Sequence, residues 1–172
     1  MGIVHAQFSG YAVIMTNALD RFDRAILTTM QRDSARTVAD IASEVGLSQS
    51  PCWRRIDRLQ REGFIERQVA IVDPQKVGLD AHLFVQIKLD AHGRAHLDDF
   101  AARVRSFDEV LECWVLIGPV DFMLRVVAAD LKAYERFFFD KLSRLPGVRE
   151  ITAMAALSKI KSTTALPIPA QE

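Results

Sequence analysis

The chain has 172 residues, with 22 Lys plus Arg against 22 Asp plus Glu and so no formal net charge at neutral pH. That length holds one ordinary domain or two small ones and excludes a large multidomain machine, while the charge balance excludes a global field directing the molecule to nucleic acid or a membrane, so any such partner must be recognised locally. Hydrophobic residues at 49% and charged residues at 26%, with 8 Gly and 6 Pro, belong to a globular protein with a real core and not to a disordered or collagen-like chain.

Residues 1 to 19 contain no Asp, Glu, Lys or Arg, and residues 1 to 18 read as a loosely attached arm. Met15, just before the charged and periodic sequence begins, is a candidate for the true initiator. From Asp20 the apolar residues Phe22, Ile26, Leu27 and Met30 recur at helical spacing and predict a first helix to about Asp33. Thr37 followed by Asp40 reads as a capping box opening a second helix with Val38, Ile41, Ala42 and Val45 on one face, and Gly46 stops it. Ser48 then caps a third helix, with Pro51 in its first turn and Cys52, Ile56 and Leu59 inward, ending at Gly63. Phe64 to Val72 is rich in Ile and Val and reads as one or two short strands before Asp73 and Pro74. Three helices joined by tight turns and followed by a β segment predict a winged helix-turn-helix over residues 19–71, with a hinge at 72–79.

The period then changes. His82 to Leu89 alternates as a half-buried strand; Leu97, Phe100, Ala101 and Val104 return to helical spacing; Val110 to Ile117 and Phe122 to Ala128 form a hairpin around Gly118 to Asp121. Asp130 caps a helix with Leu131, Tyr134, Phe138 and Leu142 inward, and Val148 to Leu157 is a last strand. The order βαββαβ is ferredoxin-like, so the fold class is α+β with this second domain at residues 80–158. The tail, 159–172, packs against a neighbour or frays. Phe137, Phe138 and Phe139 point around more than one side of their helix and predict an interface.

The third helix carries the chemistry. Arg54, Arg58 and Arg61 fall on one stripe with Arg55 beside it, and Gln49 and Ser50 stand in the first turn after Ser48. Short polar groups at a helix N-terminus suit base edges, and arginines suit phosphate or guanine. By charge alone the stripe is equally a solvated face partly neutralised by Asp57 and Glu62; the capped helix, Gly46 turn and Leu47 that precede it favour double-stranded DNA. Residues 20 to 72 hold nine basic and eight acidic residues, so a monomer has little phosphate attraction, and dimerisation, which doubles the contacts, is expected.

Other chemistries find little support. Cys52 and Cys113 form no CxxC and no zinc spacing, so neither a disulfide framework, a metal site nor a cofactor is suggested, and both read as packing residues in a reducing cytoplasmic protein, as Trp53 and Trp114 do. No apolar run approaches the length of a membrane span. His92 and His96 stand at i, i+4, but Gly93 occupies the place where a zinc protease needs glutamate, and no catalytic residue is assigned. The third sheet strand lacks the aromatics of RNA-recognition modules.

Ile41 to Ser48, Pro51, Cys52, Arg55, Ile56, Leu59 and Gly63 to Ile65 resemble the Lrp/AsnC, or feast/famine, transcriptional regulators. Leu116 to Phe122, Leu124 to Val126, Leu145 to Val148 and Lys161 to Pro167 resemble that family's effector-sensing domain, so the likeness covers about residues 19 to 168 in one register. It implies an N-terminal DNA reader and a sensor domain that dimerises and often assembles further, commonly to octamers. It also implies an amino-acid effector at the turn between the second and third sensor strands, here Ile117, Gly118, Val120 and Asp121. By itself a Gly and an Asp in a tight turn are first of all turn formers. The sequence departs from the family there, with Val120 where an aromatic is common and Pro119 stiffening the turn; the pocket is either widened for a bulkier amino acid or has lost its ligand. The rival reading is a stand-alone amino-acid-binding or oligomerisation module whose helical part contacts another protein.

Overall fold

The computed structural model describes residues 19–90 and 97–169; the uncharged arm, Met15 and the His92/His96 pair lie outside the described residues. The chain divides into two compact units, one built from residues 19–70 together with 162–169, the other from Ile71–Lys161.

In the first unit three helices follow one another: α1 (Arg21–Arg32), α2 (Val38–Val45) and α3 (Gln49–Arg61). The first two starts are written in short polar side chains. Asp20 Oδ1 accepts from the backbone N–H of Phe22 and Asp23 at 2.9 Å each, and Asp23 Oδ2 accepts in return from the Asp20 N–H at 3.1 Å; Thr37 and Asp40 repeat the same reciprocal box on α2. Gly46, at φ +73°, closes α2 in a left-handed conformation that a side chain would strain, and the Leu47 N–H reaches back to the Ala42 carbonyl at 2.9 Å. Ser48 holds the N-cap position of α3, but its hydroxyl makes no capping bond. The three helices bury Ile26, Leu27, Met30, Ile41, Ala42, Cys52, Ile56 and Leu59 together.

One expectation is corrected here. Phe64 to Val72 forms no strand: Phe64 and Ile65 pack on the helical core, whereas Val69, Ile71 and Val72 are exposed, and β-propensity without a second strand to hydrogen-bond cannot make a sheet. Residues 162–169 of the tail are held against the helices of the first unit. Gln31 clamps the backbone of Leu166 from both sides, its Oε1 accepting the Leu166 N–H at 2.7 Å and its Nε2 donating to the Leu166 carbonyl at 3.3 Å. Arg24 donates to the Pro169 carbonyl at 2.8 Å, and Ile168 packs on the helical core.

The second unit is a four-stranded antiparallel sheet in the order β2-β3-β1-β4, formed by β1 (Ala81–Leu89), β2 (Val110–Val115), β3 (Phe122–Ala128) and β4 (Val148–Ala155), with α4 (Leu97–Arg105) and α5 (Leu131–Asp140) interleaved. This is the ferredoxin-like arrangement. Strand alternation sends Leu83, Val85, Ile87 and Leu89 of β1 and Phe122, Leu124 and Val126 of β3 to one face, where Phe100, Val104, Phe137, Leu142 and Leu145 meet them. Leu142 does this from a 3-10 turn after α5 has ended at Asp140.

Of the three phenylalanines expected to reach an interface, one is left open to it. Phe137 is buried and Phe138 packs against the same core, leaving Phe139 exposed. Further open apolar surface on this unit lies at Leu131 of the same helix, at Phe84, Met154 and Trp114 of the strands and at Leu116 and Ile117 of the hairpin.

Candidate nucleic-acid interface and effector turn

The face that α3 buries is fixed by Cys52, Ile56 and Leu59, so at 3.6 residues per turn the opposite side carries Ser50, Arg54, Asp57 and Arg61. Gln49, Ser50, Trp53, Arg54, Gln60 and Arg61 are exposed. Gln49, Ser50 and Arg54 make no side-chain bond to protein among the described residues, and neither does the Ser48 hydroxyl.

The arginine stripe is divided by its partners within the chain. Arg55 Nη1 lies 2.7 Å from Asp20 Oδ2 and 2.8 Å from Asp23 Oδ1, and Arg58 Nη2 lies 2.6 Å from Asp23 Oδ2. Asp23 is only 1% exposed. Its carboxylate therefore staples α3 to α1 through two guanidiniums while completing the α1 cap, and Arg55 also lies over the Phe22 ring at 5.5 Å. Burial opposes the charge on Arg55, but its bonds to Asp23 and Asp20 outweigh that and raise its pKa further; the Asp20 carboxyl, burial notwithstanding, is held below its usual range by the Asp23 N–H and the Arg55 guanidinium. Arg61 pairs with Asp57 one turn back at 2.9 Å on the exposed side. Of the four arginines, Arg54 is the one with no acidic partner among the described residues. The sequence pattern shows four cations on or beside one stripe; that two of them reach across to carboxylates on another helix requires the tertiary packing.

Trp53 was expected to serve core or interface packing, and it lies outside the core of this unit. Its neighbour Cys52 is fully buried, but the indole of Trp53 is 56% exposed and stands one helical turn after Gln49. Helical arithmetic already turns it about 100° away from Cys52.

The hairpin turn of the second unit joins β2 to β3. Ile117 is fully exposed, Gly118 has φ +157°, a backbone conformation reserved in practice for glycine, and Val120 and Asp121 are half-buried. Asp121 ties the turn to the sheet: its N–H donates to the Ile87 carbonyl at 3.0 Å, its carbonyl accepts from Leu116 N–H at 2.9 Å, and its Oδ2 accepts from Leu89 N–H at 2.7 Å. One carboxylate oxygen is thus engaged by backbone, and the structural role of the aspartate stands beside any ligand role. A groove of about 520 Å³ on this unit is walled by Asp108, Glu109, Ala129, Arg136 and Lys141, none of them a turn residue. Among the described residues no group of three or more metal-ligating side chains occurs, and no helix is long and apolar enough to cross a membrane.

Residues 19–60 match the AsnC-type helix-turn-helix domain and residues 82–166 the Lrp/AsnC ligand binding domain. The chain is 37% identical over 150 residues to the DNA-binding transcriptional activator DecR of Escherichia coli strain K12, covering 87% of this chain and 99% of that protein. It is 33% identical to the leucine-responsive regulatory protein of Salmonella typhimurium, over 87% of this chain and 92% of the relative. Among solved structures, an AsnC family transcriptional regulator from Agrobacterium tumefaciens superposes with a TM-score of 0.82 at 42% identity, covering 86% and 96% of the two chains. A transcriptional regulator from Neisseria meningitidis in complex with L-Met superposes with a TM-score of 0.84 at 34% identity, covering 87% and 97%. The helix-turn-helix unit, the ferredoxin-like sheet and these likenesses over nearly the whole described chain agree: the protein belongs to the Lrp/AsnC family of transcriptional regulators.

Proposed function

We propose that this chain is a cytoplasmic, non-catalytic regulator that reads double-stranded DNA with α3 and responds to an amino acid. Ser48, Gln49 and Ser50, at the helix N-terminus, face the base edges, and Arg54 takes phosphate or guanine. Arg55 and Arg58 hold the helix at its angle to α1, and Arg61, shared with Asp57, contributes less. The observation that carries this reading is the division of labour on α3: its inward arginines are engaged by carboxylates of α1, while Gln49, Ser50 and Arg54 stand exposed without protein partners among the described residues.

The effector site is built around Ile117, Gly118, Val120 and Asp121, with the remaining Asp121 oxygen available to an α-ammonium group. The turn residues stand apart from the groove walled by Asp108 and Lys141, and on this reading a second copy supplies the other wall of the effector site. The exposed Phe84, Trp114 and Met154 of the sheet support a homodimer, and Phe139 of α5 is left for higher assembly. The L-Met bound to the Neisseria meningitidis relative supports an amino acid as the ligand class.

The test is fluorescence anisotropy with the DNA upstream of the protein's own gene, over a salt series, against scrambled DNA, with and without pooled amino acids. Tight, sequence-dependent binding that weakens with salt and shifts with amino acids is expected. Absence of DNA binding with retained amino-acid binding would overturn the DNA reading in favour of a stand-alone sensing module; silence from every amino acid in calorimetry would overturn the effector assignment.

A further inference from the structure

The exposed face of α3 is polar except for one side chain, and that side chain is the largest available. Trp53 is 56% exposed, and its indole N–H makes no hydrogen bond among the described residues. Trp114, the other tryptophan of the chain, differs in this respect, since its Nε1 donates to Glu112 Oε2 at 3.2 Å. Trp53 is the fifth residue of α3, one turn beyond Gln49 and Ser50 and beside Arg54, so it stands within the N-terminal half of the helix that the proposed function places in the major groove. An indole left in water on such a face exposes an apolar plate that burial would stabilise.

The major groove offers one apolar group on its base edges, the C5-methyl of thymine. Phosphates and guanine edges are better served by the neighbouring Arg54, which carries a charge and several donors. We propose that Trp53 is a specificity-determining residue that packs its indole against a thymine methyl in each half-site, with the free N–H available to an acceptor on the same base pair or its neighbour. This rests on the reading of α3 as the DNA-contacting helix. Burying about one methyl group is worth roughly a fourfold preference for thymine over an unmethylated pyrimidine per half-site, and about fifteenfold for a symmetric duplex read by two copies.

The experiment selects duplexes from a library with a randomised core, using the full chain and its Trp53→Ala and Trp53→Phe variants. Uracil is then substituted for thymine, one position at a time, in the duplex selected by the unmodified protein. Trp53→Ala removes an exposed side chain and leaves the fold intact, which circular dichroism checks. The expected result is one thymine per half-site whose replacement by uracil weakens the unmodified protein about fourfold, leaves Trp53→Ala unaffected, and still weakens Trp53→Phe, with the salt dependence unchanged throughout. The tryptophan emission that the unmodified protein has and Trp53→Ala lacks should shift and lose quencher access when the selected duplex binds. If the unmodified protein selects a duplex but Trp53→Ala selects the same one with the same uracil profile, or if Trp53 stays open to quencher in the complex, the thymine assignment is overturned while the DNA reading stands. If the unmodified protein selects no duplex, both fall, and the exposed indole belongs to a protein contact.

Discussion

Replacing Asp23 by Asn probes the joint between α1 and α3 with nearly no change in volume. The carboxylate is 1% exposed and pairs with Arg55 at 2.8 Å and Arg58 at 2.6 Å. Removing one partner of a fully buried ion pair costs about 3–5 kcal/mol, mostly because the other charge is left desolvated and unpaired. Here the two guanidiniums are 29% and 32% exposed, Arg55 keeps Asp20 at 2.7 Å, and Arg58 keeps Glu62 at 4.0 Å, so part of that penalty is screened. The Asn side-chain oxygen can still accept the Asp20 N–H and preserve the cap. The net expectation is a loss of about 2–3 kcal/mol, or a fall of about 30- to 150-fold in amide protection. Because the chain holds two units, hydrogen exchange read peptide by peptide is the right assay, and the loss should fall on peptides from 21–65 and spare those from 81–90 and 97–155. A loss smaller than about fivefold, or one spread equally over both units, would refute the view that Asp23 staples α3 to α1.

Arg54→Ala should weaken binding to all duplexes alike and lower the salt-dependence slope by about one per contacted phosphate, measured by anisotropy, whereas Arg61→Ala should do less because Asp57 already neutralises it. Gln31→Ala should release the tail and cost about 1–2 kcal/mol in the first unit alone, seen as faster exchange in α1 without change in the sheet. Asp20 sets an acid limit. Burial raises its pKa, but the Asp23 N–H and Arg55 lower it further, to a net value below the ordinary one. A carboxyl depressed on folding contributes stability that is complete above its unfolded pKa of about 3.9 and lost as pH falls through the folded value. The first unit of Asp20→Asn should therefore start less stable near neutrality but lose less on acidification from about pH 5 to pH 2; an acid limb parallel to that of the unmodified protein would contradict the assignment.

Local signals in the chain carry much of this architecture. Thr37 with Asp40, Gly46 and the buried triplet Cys52, Ile56 and Leu59 determine where α2 and α3 begin and end, since caps and helical periodicity act within a few residues. The alternation from Leu83 to Leu89 likewise determines which face of β1 is buried. The capping box at Asp20 and Asp23 was equally local, two acids three residues apart ahead of a periodic run. Tertiary structure decided what depends on a partner distant in sequence. Phe64 to Val72 has strand composition, but hydrogen-bonded pairing needs a second strand and the chain provides none there. Arg55 and Arg58 share a helix with Arg54, yet whether a guanidinium faces solvent or a buried carboxylate is set by what α1 places opposite it, 32 residues away for the bond from Arg55 to Asp23. Gln31 and Leu166 meet across 135 residues. Short-range sterics and capping bonds are written in neighbouring residues; the fate of a long charged side chain or an extended segment is decided by whichever surface the fold brings to it.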